Sequence, residues 1–337
     1  MEQLKTSYEM KHILTFTIFL TCTISSITGF SQNLSKKEIE SAIISIAKLI
    51  DDNYVFPEKG KQIATHLLQE YKKGRFNQIK NWSTFDSIST QCLRSFSHDG
   101  HLYVRNDPKT VKELLAAQSQ VVDSNSNEQF SYNPFYYGKE ATEKNFGFRE
   151  VKILEGNIGY IKLSEINIST KSLPVLFAAM EFISNTNALV IDLRDNGGGG
   201  SELGSVFHSF FLPKDIPLLD FKTRNGPSRI DKTVLWLTEK KYDNPLFIIV
   251  NKGTASAAEA FAYSLQNKKR AKIIGQQSAG AANMNSWYVV SDQIFVSVST
   301  AAPTLPGTEE SWEQKGIQPD HIVESGTEIE FILHQLK

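Results

Sequence analysis

The chain has 337 residues, enough for one large domain or two modest ones with a substantial core. Its 36 basic and 37 acidic residues nearly cancel, so charge gives no indication of nucleic acid or of a strongly charged partner. The first predicted element is a signal peptide, because Lys5 and Lys11 precede an uncharged apolar run that is shorter than the roughly 20 residues of a membrane-spanning helix. We expect cleavage near Ser31, no membrane span afterwards, and a periplasmic or extracellular location. A retained anchor and a lipid on Cys22 are the alternatives.

Removal of the signal peptide would leave Cys92 as the remaining cysteine, so no intrachain disulfide is expected. No Cys/His cluster has the spacing of a zinc site, and the sequence contains no EF-hand or phosphate-loop motif. The sequence therefore predicts neither a metal nor an organic cofactor.

Helical periodicity follows the signal peptide. Ser35 and Glu38 have the spacing of a capping box, and isoleucines recur at helical intervals until Pro57 ends the segment. Further helices are predicted around residues 63–71, before Gly74, and around residues 85–92. An N-terminal helical domain is therefore expected.

The chain changes to short apolar runs separated by helical stretches after residue 145. Strands are predicted at 149–154, 158–163, 188–193, 246–250, 272–274, 288–290 and 294–299, and helices at 173–183, 202–211 and 257–266. This alternation indicates an α/β (α+β) domain with a largely covered sheet. We divide the chain into a signal peptide (1–31), a helical domain (35–104), a polar connector (105–144) and the α/β domain (145–337). One helix is expected within the connector, near residues 111–117.

The most informative segment runs from a buried strand through Gly253 to a helix that begins at about Ser256. A hydroxyl at a helix N-terminus lies beside unpaired backbone amides, which can stabilise the oxyanion of an acyl-transfer reaction. Alternatively, Ser256 and Glu259 form a capping box, and the serine only begins the helix.

Three further segments bear on this chemistry. Four glycines, 197–200, follow the strand that ends near Leu193, and their main chain can approach a ligand closely; the alternative is a tight turn without a role. His98 and His101 lie in a turn, where a histidine could act as a general base or be merely exposed. Acidic residues at 309–313 could orient a histidine or form a solvated loop.

Several motifs together resemble the tail-specific (C-terminal processing) serine protease family. The matching stretches are Asp192–Gly199, Gly253–Glu259 and Gly316–Asp320. Motifs at Tyr54–Glu58, Asp99–Leu102, Asn145–Phe148 and Gly156–Tyr160 resemble the branch that contains interphotoreceptor retinoid-binding protein modules. The resemblance implies a Clp-protease/crotonase-like catalytic domain after the helical domain.

By this resemblance Ser256 is the nucleophile, and the amide of Ala257 with that of Gly198 or Gly199 forms the oxyanion hole. Many relatives use a lysine as base, but the matching position here is Ala281. A tricorn-like branch instead uses a histidine and a glutamate, which His101 and Glu313 match.

Gly100 stands where that branch has a serine, so this part of the resemblance is incomplete. His98 is the alternative base. Asp192 and Arg194 are expected to brace the glycine turn.

The family's PDZ domain is expected to be absent, because about 40 residues separate Val104 from Asn145 and a domain needs more than about 50. The sequence thus predicts an exported serine peptidase that acts on peptides or proteins. The alternative is an inactive module that binds a hydrophobic small molecule or peptide on the same scaffold. The oligomeric state is not predicted.

Overall fold

The computed structural model describes residues 33–121, 134–224, 226–237 and 241–336. The predicted signal peptide and Cys22 lie outside these residues. The helices are α1 (Lys36–Asn53), α2 (Pro57–Lys72), α3 (Trp82–Ser97), α4 (Pro108–Val121), α5 (Pro134–Tyr137), α6 (Lys139–Glu143), α7 (Leu173–Phe182), α8 (Gly204–Ser209), α9 (Ala257–Asn267) and α10 (Glu328–Gln335). The strands are β1 (Tyr103–Asn106), β2 (Phe148–Leu154), β3 (Ile158–Leu163), β4 (Ile166–Ile168), β5 (Ala188–Asp192), β6 (Gly199–Ser201), β7 (Pro217–Thr223), β8 (Arg229–Lys232), β9 (Leu246–Val250), β10 (Ala271–Gly275), β11 (Met284–Val289), β12 (Ile294–Thr304) and β13 (His321–Ile322).

The predicted N-terminal helices are confirmed. The capping box begins α1: the N–H of Glu38 donates to Ser35 Oγ (3.2 Å), and the N–H of Ser35 donates to Glu38 Oε2 (2.8 Å). Pro57 is the first residue of α2, where a helix makes no use of an N–H. The apolar faces of α1 to α3 pack on Ile294 and Val296 of β12, so a strand from the C-terminal half completes this core.

Six of the described strands form a sheet in the order β13-β10-β9-β5-β3-β2. Its strands are parallel except for β2, which pairs antiparallel with β3 at the edge. Every residue of β5 and β9 is buried, as expected for a parallel sheet covered on both faces. Helices α7 and α9 pack on one face and α10 on the other. The predicted α/β architecture is confirmed.

A second sheet joins the end of the helical region to the C-terminal half. Its order is β1-β12-β7-β8, and β11 also pairs with β12. Tyr103 of β1 lies opposite Ser297 of β12, which brings the preceding turn, with residue 101, to this sheet. The sequence predicted only residues 294–299 of β12, because its last residues are extended through pairing with β7, a tertiary contact.

A short two-stranded ribbon holds the glycine turn. Strand β6 pairs in parallel with β4, with Gly199 opposite Ile166, and the N–H of Ile166 donates to the carbonyl of Gly198 (2.7 Å). The helix predicted at 202–211 is therefore shorter and is observed as α8. Within the stretch interpreted as a connector, the structure has α4, α5 and α6.

None of the described helices is long and apolar enough to cross a membrane.

Candidate active site

Ser256 lies at the junction of β9 and α9. The intervening turn is fixed by Thr254, whose hydroxyl donates to the carbonyl of Leu193 (2.7 Å) and accepts from the N–H of Asn251 (3.0 Å). Ser256 has φ 54° and ψ −123°, a conformation that costs a non-glycine residue about 1–3 kcal/mol. The surrounding hydrogen bonds hold this strained backbone, and the half-buried side chain stands at the start of the helix.

The histidine turn meets this serine. Nε2 of His101 lies 3.2 Å from Oγ of Ser256, within hydrogen-bonding distance. His98, the alternative base, is the exposed C-cap of α3 with φ 54°. The structure therefore brings His101, and not His98, to the serine.

The main chain around His101 is held on three sides. Its N–H donates to Asp99 Oδ1 (2.8 Å), and its carbonyl accepts from Ser297 Oγ (2.5 Å). Arg94 of α3 donates to the carbonyls on either side, those of Gly100 and Leu102. The imidazole is thus presented by a fixed turn.

The surroundings of His101 keep its imidazole neutral. Burial lowers its pKa below the ordinary value, and the positive charge of Arg94 lowers it further, whereas the negative charge of Asp99 opposes both effects. A histidine with a lowered pKa is unprotonated at neutral pH and can accept a proton.

Glu313 lies in the same region but forms no direct hydrogen bond with His101. Its Oε2 accepts from the N–H groups of Ala282 (2.7 Å) and Asn283 (3.1 Å). Its Oε1 and Nδ1 of His101 are both buried and have no partner among the described residues. Burial, together with the negative charge of Asp99, raises the pKa of Glu313 to about 7.

Asp99 is a residue of this site to which sequence reasoning gave no role. Its buried carboxylate accepts from the hydroxyls of Tyr54 (2.8 Å) and Ser299 (2.7 Å), from the side-chain amide of Asn283 (3.2 Å) and from the main chain of His101. The sequence feature that could have identified Asp99 is its place in the Asp-Gly-His motif. Its side-chain partners, 45 to 200 residues away, could not be inferred locally.

Glu259 is a second buried acidic residue of the site, and sequence reasoning gave it only a capping role. Its buried carboxylate accepts from the N–H of Ser256 (2.9 Å) and from a loop formed by residues 278–281. The loop donors are the hydroxyl of Ser278 (2.5 Å) and the N–H groups of Gly280 (2.7 Å) and Ala281 (2.9 Å). The capping-box spacing predicted the contact with Ser256 but not the contacts with the loop.

The glycine turn lies directly against Ser256. Gly198 has φ +98°, and a Cβ at this position would lie 2.7 Å from Cβ of Ser256 and 3.0 Å from the nitrogen of Ala257. The N–H of Gly198 donates to Asn196 Oδ1 (3.0 Å), so it is engaged within the turn. The candidate oxyanion donors are therefore the N–H of Gly199 and that of Ala257, since first-turn amides have no partner within the helix.

Asp192 and Arg194 form a buried network below the turn. Arg194 Nη2 lies 2.6 Å from Asp192 Oδ2, and its Nη1 lies 2.7 Å from Glu328 Oε2. Tyr160 also donates to Asp192 (2.7 Å). These contacts link β5 to β3 and α10, whereas the bracing of the glycine turn stays a prediction. Within the part of the chain that the structure describes, no group of three or more His, Cys, Asp or Glu residues could hold a metal ion.

A serine at a helix N-terminus, a neutral histidine on its hydroxyl and a glycine turn beside it define a site of the serine-hydrolase class. Residues 157–323 match the model of Peptidase family S41, and residues 33–132 match that of the N-terminal domain of Peptidase_S41 in eukaryotic IRBP. The chain belongs to peptidase family S41, and the resemblance found in the sequence is confirmed.

The relatives include carboxyl-terminal processing enzymes. The chain is 33% identical over 169 residues to carboxyl-terminal-processing peptidase 2, chloroplastic, of Arabidopsis thaliana, covering 49% of this chain and 31% of that protein. The match spans only 31% to 40% of the first three curated relatives.

Solved structures share the fold. A lipoprotein from Streptococcus agalactiae has a TM-score of 0.56 at 16% identity, covering 90% of this chain and 97% of that one. The photosystem II D1 C-terminal processing protease has a TM-score of 0.51 at 16% identity, covering 86% and 94%.

Proposed function

We propose that this chain is an exported serine peptidase, with Ser256 as nucleophile and His101 as general base. The observation that carries the proposal is the 3.2 Å distance between His101 Nε2 and Ser256 Oγ. Membership of a peptidase family and the carboxyl-terminal processing names of relatives support peptide or protein substrates. Export is supported by the sequence of the first thirty residues alone.

The reaction follows acyl-transfer chemistry. His101 Nε2 takes the hydroxyl proton while Ser256 Oγ bonds to the carbonyl carbon of the substrate. The carbonyl oxygen becomes an oxyanion that accepts from the N–H groups of Ala257 and Gly199. The imidazolium then gives its proton to the leaving amine nitrogen as the peptide bond breaks. Water repeats the sequence on the acyl-enzyme and restores Ser256.

Glu313 would stabilise the imidazolium. The unpartnered Oε1 of Glu313 and Nδ1 of His101 are the acceptor and donor needed for a contact, direct or through a water, when the histidine is charged. Because the pKa of Glu313 is raised to about 7, this support is strongest in weakly alkaline solution.

The experiment is labelling of the purified protein by a small fluorophosphonate, followed by peptide mapping. We expect one label, on Ser256, in the wild type and none in Ser256→Ala. Equal labelling of both proteins would remove Ser256 from the mechanism. A well-folded wild type that is not labelled would favour a module that only binds its ligand.

A further inference from the structure

Asp99 lies where four parts of the site meet. Its side chain is fully buried, and it joins the histidine turn to the end of α1 through Tyr54, to β12 through Ser299 and to the loop before β11 through Asn283. The same carboxylate accepts from the main-chain N–H of His101 (2.8 Å). Asp99 is therefore held in one place beside the proposed base.

The four hydrogen-bond donors leave the negative charge of this carboxylate uncancelled. Two of them are hydroxyls, one is a side-chain amide and one is a backbone N–H, so all four are neutral groups. Among the described residues, no Lys or Arg forms an ion pair with Asp99. Neutral donors stabilise a buried carboxylate but do not remove its charge, so neighbouring groups still experience it.

The charge of Asp99 acts on the proposed base. Burial lowers the pKa of His101 and the positive charge of Arg94 lowers it further, whereas the negative charge of Asp99 acts in the opposite direction. The same balance determines how strongly the buried imidazolium is disfavoured when Ser256 gives up its proton. Of the two charges that shift the pKa of His101, Asp99 is the one that favours the imidazolium.

Glu313, the other carboxyl group of the site, is only partly ionised at neutral pH. Burial, together with the negative charge of Asp99, raises its pKa to about 7, and the positive charge of Lys59 acts in the opposite direction. Burial also raises the pKa of Tyr54, as do the charges of both carboxyl groups, so its hydroxyl stays a neutral donor to Asp99. Below pH 7, Glu313 therefore loses most of the charge with which it could support His101.

We propose that Asp99 is a positioning residue for the proton transfer, which fixes the main chain of His101 and stabilises its imidazolium through a buried negative charge. The proposal rests on the proposed function, since the imidazolium forms only when His101 takes the proton of Ser256. The effect of the charge on the resting ring does not need the chemistry. Loss of an opposite charge within about 4–6 Å typically changes a pKa by at least about 1, which is about tenfold in an equilibrium constant.

The first test is titration of the His101 ring by NMR, which needs no turnover. Asp99→Asn keeps the size of the side chain and removes its charge, so we expect the pKa of His101 to fall by about 1. Asp107→Asn is the matched control. Its carboxylate accepts from the N–H of Thr110 in α4 (3.0 Å) and is not among the charges that shift His101, so the pKa of His101 should not change. An unchanged or raised pKa in Asp99→Asn would overturn the proposal.

Tyr54→Phe is a second variant that does not depend on the folding of Asp99→Asn. It removes one donor from Asp99 and leaves the charge in place. Because the charge is then less compensated, the pKa of His101 should rise, in the direction opposite to that in Asp99→Asn. A fall or an unchanged value in Tyr54→Phe would contradict the charge effect. Thermal unfolding shows whether each variant is folded.

The rate of fluorophosphonate labelling at pH 6 connects the charge to the reaction. Asp99→Asn should be labelled about tenfold more slowly than the wild type. The loss should exceed that in Glu313→Gln at least about threefold, because Glu313 is mostly protonated at pH 6. A greater loss in Glu313→Gln would overturn the role of Asp99. A wild type that is not labelled would instead remove the peptidase assignment, and the lowered pKa of His101 in Asp99→Asn would still establish the charge effect.

Discussion

Glu259 accepts a hydrogen bond from the main-chain N–H of Ser256 (2.9 Å) and so fixes the residue that bears the proposed nucleophilic hydroxyl. The same carboxylate binds the loop at residues 278–281, while Glu313 binds the next two amides, those of Ala282 and Asn283. Four consecutive N–H groups, from 280 to 283, thus donate to two buried or half-buried carboxylates. The position at which many relatives have a lysine base, Ala281, is here part of a loop that positions the serine.

This arrangement predicts the effect of Glu259→Gln. A neutral amide cannot accept from all four donors, so buried N–H groups lose partners and the backbone of Ser256 is less fixed. We expect kcat to fall at least about tenfold with a smaller change in KM, and the free energy of unfolding to fall by about 2–3 kcal/mol. Urea unfolding and steady-state kinetics measure both quantities. Glu330→Gln, on the exposed side of α10, is the control, and an equal loss there would contradict the role of Glu259.

Alanine substitutions at two neighbouring glycines, 197 and 198, provide a matched pair of variants. Gly198→Ala places a methyl group 2.7 Å from Cβ of Ser256 at φ +98°, and we expect labelling of Ser256 to fall by about a hundredfold or more. Gly197→Ala meets no atom within 4 Å and should label at nearly the wild-type rate. Equal labelling rates in the two variants would show that the turn does not need its close approach to the serine.

Arg94 should contribute to the pH dependence of activity. Its positive charge lowers the pKa of His101, so Arg94→Gln should raise that pKa and move the acid limb of the pH–rate profile to higher pH. Arg105→Gln is the control. The guanidinium groups of Arg105 and Arg94 lie at similar distances from the centroid of the Tyr103 ring, 5.4 Å and 5.5 Å. Arg105, however, is not among the charges that shift the pKa of His101. Titration of the His101 ring by NMR gives the same answer without turnover. A shift in both variants, or in neither, would contradict this role.

Glu313 should make stability fall as pH rises. Its folded-state pKa of about 7 lies above the ordinary value of 4.5, so the folded protein holds this proton more tightly than the unfolded chain. Between about pH 4.5 and 7 the wild type should lose about 2–3 kcal/mol relative to Glu313→Gln, measured by urea unfolding. Glu310→Gln, a change at an exposed neighbour, should track the wild type. If the stability of Glu313→Gln also follows that of the wild type across this pH range, burial does not raise the pKa of the Glu313 carboxyl.

Local sequence patterns predicted the elements whose causes are local. The capping box at Ser35, the apolar strands β5 and β9 and the helix after Ser256 all appear at or near their expected bounds. Strands β7 and β8 were missed, because polar residues such as Asp220 interrupt their apolar pattern and because β7 also pairs with β12, which lies far away in the chain. The length of β12 was underestimated for the same reason.

In the candidate site, too, the sequence predicted some features and missed those that depend on distant residues. Motif resemblance selected Ser256 and His101, although 155 residues separate them and no periodicity could bring them together. The engagement of the Gly198 amide by Asn196 and the missing bond between Glu313 and His101 depend on side-chain directions that the sequence does not encode locally. The roles of Asp99 and Glu259 emerge only when their distant partners are known.

The central claim is that His101 removes the proton from Ser256, and acylation rates in two histidine variants test it most directly. The rate of fluorophosphonate labelling should fall by about a thousandfold or more in His101→Ala, because the serine loses its proton acceptor. It should change by less than about threefold in His98→Ala, whose side chain is exposed at the end of α3. Wild-type labelling in His101→Ala, or a large loss in His98→Ala alone, would contradict the account.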